Sequence, residues 1–127
     1  MNLIKCFQSF RYAFKGLKYV LRENNMQFHI LATALVLIAG YFFEISINEW
    51  LWICSAIFMV IITETFNTAI EHLVNLVSPK FNPLAGKVKD LSAGAVLLAA
   101  LYALVIASLV FIPKLIPVGF AAFEKMR

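Results

Sequence analysis

The sequence predicts an all-α integral membrane protein in which an amphipathic surface helix precedes three transmembrane helices. Two observations predict this class. Hydrophobic residues make up 62% of the 127 residues and the mean hydropathy is +0.85, whereas soluble domains are roughly half apolar. Long apolar stretches also follow an N-terminal segment in which basic and apolar residues recur with helical spacing. At this length we expect one membrane-embedded domain over residues 1–127.

The N-terminal segment, residues 1–22, predicts the surface helix. From Leu3 onwards, apolar residues recur at steps of three and four, and basic residues follow the same period on another face. Aromatic residues opposite cations suit the plane of an anionic membrane surface, so a helix that binds nucleic acid is the poorer interpretation. The segment contains no uninterrupted apolar run of the kind found in a cleavable signal peptide, and we expect it to remain in the mature protein.

Three apolar stretches predict the membrane helices, at about 26–45, 48–78 and 88–112. Each can cross a hydrocarbon layer of about 30 Å at about 1.5 Å per residue. The first connection is short and acidic, and the second contains the turn formers Pro79, Pro83 and Gly86 together with lysines. We expect Pro113 and Pro117 to end the third membrane helix.

The distribution of basic residues predicts the orientation of the chain in the cell membrane. Eight of the eleven lysines and arginines lie on the N-terminal segment or the second connection. The positive-inside rule places both of these regions, and therefore the N-terminus, on the cytoplasmic side. The C-terminus is then outside, although Lys114, Lys125 and Arg127 argue for the opposite placement.

Several residues that often mark a site do not predict one here. Cys6 and Cys54 lie far apart in sequence without metal-ligand spacing, so we interpret both as plain thiols. His29 and His72 also lack a second ligand at metal spacing, which favours a structural, hydrogen-bonded role. The sequence has no GxxxxGKS/T phosphate-binding loop, so any nucleotide must be held by helix ends and side chains.

The second apolar stretch carries one polar face. Its polar residues are spaced by three and four and therefore share one side of a helix: Glu64, Asn67, Thr68, Glu71 and Asn75. Carboxylates at membrane depth are costly and rare, so two glutamates on one face favour a functional site. For Asn67 and Thr68 alone, a packing seam in which these side chains join helices by hydrogen bonds is an open alternative.

The two glutamates are expected to have different roles because they lie at different depths. Seven residues separate them in sequence. This spacing is about 10.5 Å along a helix, too far for both to hold one Mg²⁺ ion at about 2.1 Å. Glu64 falls near the inner edge of the hydrocarbon, where a lipid hydroxyl lies, and partial desolvation suits it to act as a general base. Glu71, nearer the cytosol, is better placed to hold a metal–phosphate complex with a second carboxylate.

Three further residues are candidates on the same side of the membrane. Glu23 stands where the surface helix meets the first span, as a metal-site partner of Glu71 or as an ordinary interfacial charge. Lys89, at the start of the predicted third membrane helix, can reach a polyphosphate. Asp90 beside it can hold a metal or a lysine, or can simply cap the helix.

Two runs of sequence form specific motifs. Residues 64–71 read Glu-Thr-Phe-Asn-Thr-Ala-Ile-Glu, and residues 89–97 read Lys-Asp-Leu-Ser-Ala-Gly-Ala-Val-Leu. The stretches Phe14-Lys15-Gly16-Leu17 and Glu23-Asn24-Asn25 through His29 add to them. In these features the chain resembles the prokaryotic diacylglycerol kinase family, with the Glu23 to His29 stretch similar to the Gram-positive type that includes undecaprenol kinases. The resemblance covers nearly the whole chain up to Pro113.

The resemblance implies a function and a set of roles. It implies a homotrimer with composite active sites that transfers the γ-phosphate of ATP, with Mg²⁺, to the hydroxyl of a membrane lipid alcohol. Glu64 corresponds to the catalytic base, and Glu23 and Glu71 to the metal-linked carboxylates. The residues implied around the nucleotide are Lys5, Tyr12, Glu23, Asn67, Glu71, Asn75, Lys89 and Asp90.

Two departures from the family pattern lie near the expected phosphates. Asn75 replaces a usual aspartate and Gln27 replaces a residue that is often basic, and each change removes a charge. We expect nucleotide affinity to be the property most affected. The Glu23 to His29 stretch and the ending Phe111-Ile112-Pro113-Lys114-Leu115 favour undecaprenol over diacylglycerol as the acceptor, on resemblance alone.

Two other functions fit part of the pattern. A small multidrug or proton-coupled transporter also uses an intramembrane glutamate, but it needs a polar path across the whole membrane, and residues 50–62 offer almost none. A catalytically silent membrane subunit of the same fold would fit the charge losses at Asn75 and Gln27.

Overall fold

The chain folds entirely into helices over the part that the structure describes. A computed structural model describes the backbone of residues 3–125 and the side chains of residues 7–116. The helices are α1 (Leu3–Val20), α2 (Asn24–Phe42), α3 (Ile47–Val77) and α4 (Pro83–Lys125). Helices α2, α3 and the Pro83–Ile116 part of α4 are each long and apolar enough to cross a membrane. The predicted fold class, three membrane helices after an N-terminal helix, is therefore confirmed.

Helix α3 is the centre of the bundle. It packs most extensively against α4, less against α2, and least against α1. The small core contains Ile45, Ile53 and Val110, which lie toward one end of the membrane helices. Many large apolar side chains, including Leu98 and Leu109, are exposed in the single chain. Exposed apolar surface of this extent is typical of a protein whose surroundings are lipid or further protein.

A local hydrogen-bond motif starts α3 and connects it to α4. The Ser46 hydroxyl accepts from the Glu49 backbone N–H at 3.3 Å, and the Glu49 carboxylate accepts from the Ser46 N–H at 2.6 Å. This reciprocal capping box satisfies backbone donors that the helix start leaves free. Glu49 also forms an ion pair with Lys114 of α4 at 3.0 Å. The charge of Lys114 is therefore neutralised within the bundle.

The predicted ends of the third membrane helix were wrong. It begins at Pro83 rather than near residue 88, because proline fits a first helical turn and the Asn82 side chain accepts from the Leu84 N–H at 2.9 Å. It then continues through Pro113 and Pro117 to Lys125. In an apolar environment a broken helix would leave backbone groups without partners, which favours continuation through a proline.

The longer helix also removes one interpretation of Asp90. Asp90 lies seven residues after Pro83, about two turns into α4, and not at the helix start. It therefore cannot cap the helix. The other three helices begin and end within three residues of their predicted bounds.

Gly40 allows α2 to approach the start of α3. A Cβ atom at this position would lie 2.6 Å and 2.9 Å from two carbon atoms of the Trp50 indole. We expect Gly40→Ala to lower the free energy of unfolding by about 1–3 kcal/mol, because the ring and its neighbours must move. Thermal unfolding in detergent, with Gly86→Ala as the control in open space, measures this. Equal melting temperatures of the two variants would show that the Trp50 contact is unimportant.

Candidate active site

Glu64 is a carboxylic acid buried between helices. It lies on α3 and only 2% of the residue is exposed. From α2, His29 places its Nε2 4.0 Å from Glu64 Oε2, and Asn25, one turn earlier, also interacts with this carboxylate. Asn25 and His29 are four residues apart and therefore share the face of α2 that meets α3. The predicted base is thus turned into the bundle and not toward lipid.

A separate polar network begins one turn after Glu64, at the contact between α3 and α4. The Asn67 amide donates to Glu71 Oε1 at 3.3 Å, and the Ser92 hydroxyl donates to Asn67 Oδ1. Ser92 Oγ also lies 3.1 Å from the Lys89 backbone oxygen. Asn67 and Ser92 are both buried. Because both ends of the Asn67 amide are used, its orientation is set and Glu71 is held in place.

Lys89 and Asn75 meet at the end of this network. The Lys89 ammonium donates to the Asn75 side-chain oxygen at 2.6 Å. Asn75 is neutral, so this bond orients the lysine without cancelling its positive charge. An aspartate at position 75 would instead form an ion pair with Lys89. Asparagine at position 75 therefore leaves Lys89 with an uncancelled positive charge. The sequence alone did not show this consequence of the substitution.

Glu23, in the connection between α1 and α2, lies beside His72 of α3. His72 Nε2 on α3 lies 3.6 Å from Glu23 Oε1 and 3.4 Å from the Tyr19 hydroxyl on α1. The Tyr19 and His72 rings also make an edge contact with centroids 5.4 Å apart. His72 thus has the structural, hydrogen-bonding surroundings predicted for it. It links α1 to the part of α3 that carries Glu71.

Three of the predicted acidic residues are gathered in one region. His72, next to Glu71 in the chain, has its Nε2 3.6 Å from Glu23 Oε1, and Glu64 lies about two turns before Glu71 on α3. Among the described residues, no group of three or more histidine, cysteine or acidic side chains is arranged to hold a metal ion by itself. Mg²⁺ is usually held by only one or two carboxylates together with phosphate oxygens and water. Like charges brought together in this way fit a cation that binds with a phosphate.

In the part of the chain that the structure describes, the remaining predicted residues form no hydrogen bond or ion pair with this region. Tyr12 is 65% exposed, and its ring lies 5.9 Å from the Lys15 ammonium of its own helix. Asp90 is exposed. Gln27 is also exposed and donates to the Arg22 backbone oxygen at 3.4 Å. The side chain of Lys5 lies outside the described residues.

An apolar cavity of about 360 Å³ lies beside the buried carboxylate, between α2, α3 and α4. Its polar lining residues are His29 and Thr33, and small side chains such as Ala56 and Ala103 keep it open. Val60, one turn before Glu64 on α3, also lines it. Sequence reasoning identified neither this cavity nor Ser92. For Ser92 a signal existed, because it comes three residues after Lys89 and so shares its helix face.

Comparison with known proteins places the chain in a family. The model of the family described as prokaryotic diacylglycerol kinase matches residues 11–111. An undecaprenol kinase of Bacillus subtilis is 44% identical over 115 residues, which cover 90% of this chain and 94% of the relative. A diacylglycerol kinase of Synechocystis is 33% identical over 110 residues, covering 85% of this chain and 63% of that protein.

A more distant relative is also named a diacylglycerol kinase. This protein, from Escherichia coli strain K12, is 26% identical over 95 residues, covering 74% of this chain and 78% of the relative. The family match includes both motifs, residues 64–71 and 89–97, and the buried network that their side chains form. The resemblance noted in the sequence is confirmed, and the chain belongs to the prokaryotic diacylglycerol kinase family.

Proposed function

We propose that this chain is a lipid kinase that transfers the γ-phosphate of ATP to the hydroxyl of a membrane lipid alcohol, with undecaprenol favoured over diacylglycerol. The observation that carries the proposal is the buried Glu64 carboxylate, which lies one turn of α3 before Asn67 of the hydrogen-bonded group Asn67, Glu71 and Ser92. Family membership supports the lipid kinase activity. The similarity to the Bacillus subtilis undecaprenol kinase supports the choice of acceptor.

Glu64 is the proposed general base. As the lipid oxygen attacks the γ-phosphorus, its O–H bond breaks and Glu64 takes the proton. The bond between the γ-phosphorus and its bridging oxygen breaks at the same time, and ADP leaves. A buried carboxylate suits this role because bulk water does not compete with it for the hydroxyl proton, and because its contact with Asn25 helps to fix its position.

The donor end is proposed to lie at Glu71, Lys89 and Glu23. Glu23 and Glu71 would hold Mg²⁺, which when bound neutralises charge on the phosphate oxygens. The position of Glu23 beside His72, the neighbour of Glu71 in the chain, supports a cation site shared by these two carboxylates. Lys89, oriented by Asn75, offers an uncancelled positive charge to the phosphates. Asn67 orients the Glu71 carboxylate through its hydrogen bond, and it therefore affects nucleotide binding through that carboxylate.

The assembly is proposed to be a homotrimer of multi-pass chains in the cell membrane, each acting as one domain, with the active site on the cytoplasmic side. Basic residues concentrated in the N-terminal segment and in residues 80–89, at the start of α4 and just before it, support that orientation. Tyr12 and Asp90, proposed with Lys5 to bind nucleotide, are exposed in the single chain. Their exposure supports a site that a neighbouring copy completes.

A comparison of acceptors tests this proposal. Purified chain in bilayers with MgATP should phosphorylate undecaprenol or a shorter prenol faster than a diglyceride at equal surface concentration. The product is quantified directly as lipid phosphate. A faster rate with the diglyceride would reverse the acceptor assignment. Absence of lipid phosphate with every alcohol would instead favour the silent subunit, or the transporter if cation movement is observed.

A further inference from the structure

His29 and Glu64 face each other across a short gap. The distance from Nε2 to Oε2 is 4.0 Å, and the two side chains are 16% and 2% exposed. A direct N–H···O bond requires about 2.7–3.2 Å, so these atoms are too far apart to bond each other. A single oxygen atom between them can lie within hydrogen-bond distance of both. A hydroxyl fits such a place because it donates one hydrogen bond and also accepts.

The cavity of about 360 Å³ begins at His29 and continues among apolar side chains of all three membrane helices. Volumes of this size are in the range of small-molecule sites. Polarity in the lining comes from His29 and Thr33, and Glu64 lies one helical turn after Val60 of the wall. An occupant that matches this surface has a hydroxyl at the His29 end and hydrocarbon beyond it.

We propose that the cavity holds the first carbons of the acceptor lipid and that the acceptor hydroxyl lies between His29 and Glu64. This inference rests on the proposed lipid kinase function and specifies how its acceptor is bound. The hydroxyl donates to Glu64 Oε2 and accepts from the Nε2–H of His29. When its oxygen bonds to the γ-phosphorus, the proton passes to Glu64 and the electron pair of the broken P–O bond leaves with ADP.

The apolar lining favours an alcohol whose hydrocarbon chain begins at the carbon that bears the hydroxyl, as in a prenol. In a diglyceride, ester oxygens lie a few bonds from the hydroxyl and would enter the cavity with it. Besides His29, the lining offers them one side-chain hydroxyl, that of Thr33. Buried acceptors without donors weaken binding. His29 therefore positions the hydroxyl, and the apolar wall selects for a hydrocarbon chain attached to it.

Two pairs of variants of the full chain test this site. His29→Phe keeps an aromatic ring and removes the donor, and His29→Gln keeps a donor on a flexible side chain. We expect His29→Phe to lower kcat/KM for a prenol by at least about tenfold with the KM for MgATP unchanged, and His29→Gln to recover part of the loss. Ala103→Leu, which fills the cavity, should raise the KM for the prenol. Ala34→Leu, on an exposed position outside the lining, should not.

Photolabelling of the wild-type chain tests the site directly and does not depend on the folding of any variant. A prenol with a photoreactive group close to its hydroxyl should label α2 or α4 residues of the cavity in the wild type, in competition with unlabelled prenol. Wild-type turnover with unchanged prenol kinetics in both His29→Phe and Ala103→Leu would overturn this inference and leave the lipid kinase function standing. Labelling confined to residues outside the cavity, as expected if a second copy fills it, would also overturn it. Absence of wild-type lipid phosphorylation would overturn both.

Discussion

Replacing Glu64 with glutamine is expected to lower kcat for lipid phosphorylation by about 10²- to 10⁴-fold, the usual contribution of a positioned general base. Glutamine has nearly the same shape and can still contact Asn25 and His29, but it cannot accept the hydroxyl proton. The change therefore removes the chemistry with little change to packing at this buried position. Initial rates of lipid phosphate formation under saturating MgATP measure the effect.

A matched control for this variant is Glu44→Gln. Glu44 is an exposed carboxylate in the connection between α2 and α3, far in sequence from the motifs. Its rate should stay within about twofold of the wild type, because surface substitutions have small effects. Nucleotide binding to the Glu64 variant should also persist. A kcat within about tenfold of the wild type would reject Glu64 as the base.

Replacing Glu71 with glutamine should produce a different loss, in nucleotide use. The Asn67 amide can still donate to the glutamine oxygen, so the hydrogen bond at 3.3 Å has a replacement while the charge does not. Losing a metal-linked carboxylate removes several kcal/mol of charge stabilisation, so we expect kcat/KM for MgATP to fall by about 10²- to 10³-fold. The rate should also require more Mg²⁺ to saturate.

The measurement that separates the two glutamates is a Mg²⁺ titration of each variant. The Glu71 variant should show a shifted Mg²⁺ dependence, and Glu64→Gln should saturate at the wild-type concentration with a low plateau. The Glu44→Gln variant again serves as the control and should show the Mg²⁺ dependence of the wild type. An unchanged Mg²⁺ dependence in Glu71→Gln would remove this residue from the proposed metal site.

The polar face of α3 could be predicted from sequence because it depends on local periodicity. Spacing by three and four residues is a property of one helix, and it placed Glu64, Asn67 and Glu71 on one side before any packing was known. The structure agrees, since Glu64 and Asn67 are buried and Asn67 contacts Glu71. Their different depths along the helix were predicted by the same geometry.

Contacts between helices could not be predicted in the same way. The approach of His29 to Glu64 depends on which faces of α2 and α3 meet, and His29 in the sequence had only the appearance of a structural histidine. The cavity depends on three helices at once. Ser92 was visible within a motif, but its bond to Asn67 required the packing of α4 on α3.

The errors came from applying rules for water-exposed chains. Prolines commonly end helices where water can satisfy the freed backbone groups, yet α4 continues through Pro113 to Lys125. The same misplaced boundary put Asp90 at a helix start, although it lies about two turns inside α4. The ends of helices in an apolar sequence depend on whether water or lipid surrounds the chain. The local sequence pattern does not contain this information.

Transfer of labelled phosphate from the γ position of ATP to a lipid tests most directly whether Glu64 and its neighbours form a kinase site. The purified chain is placed in bilayers that contain undecaprenol and Mg²⁺, and the lipid fraction is counted after a single turnover. We expect label in undecaprenyl phosphate from the wild type, and at most about one hundredth of that rate from Glu64→Gln. Label that stays in ATP or appears as free phosphate, with none in any prenol or diglyceride, would contradict the assignment.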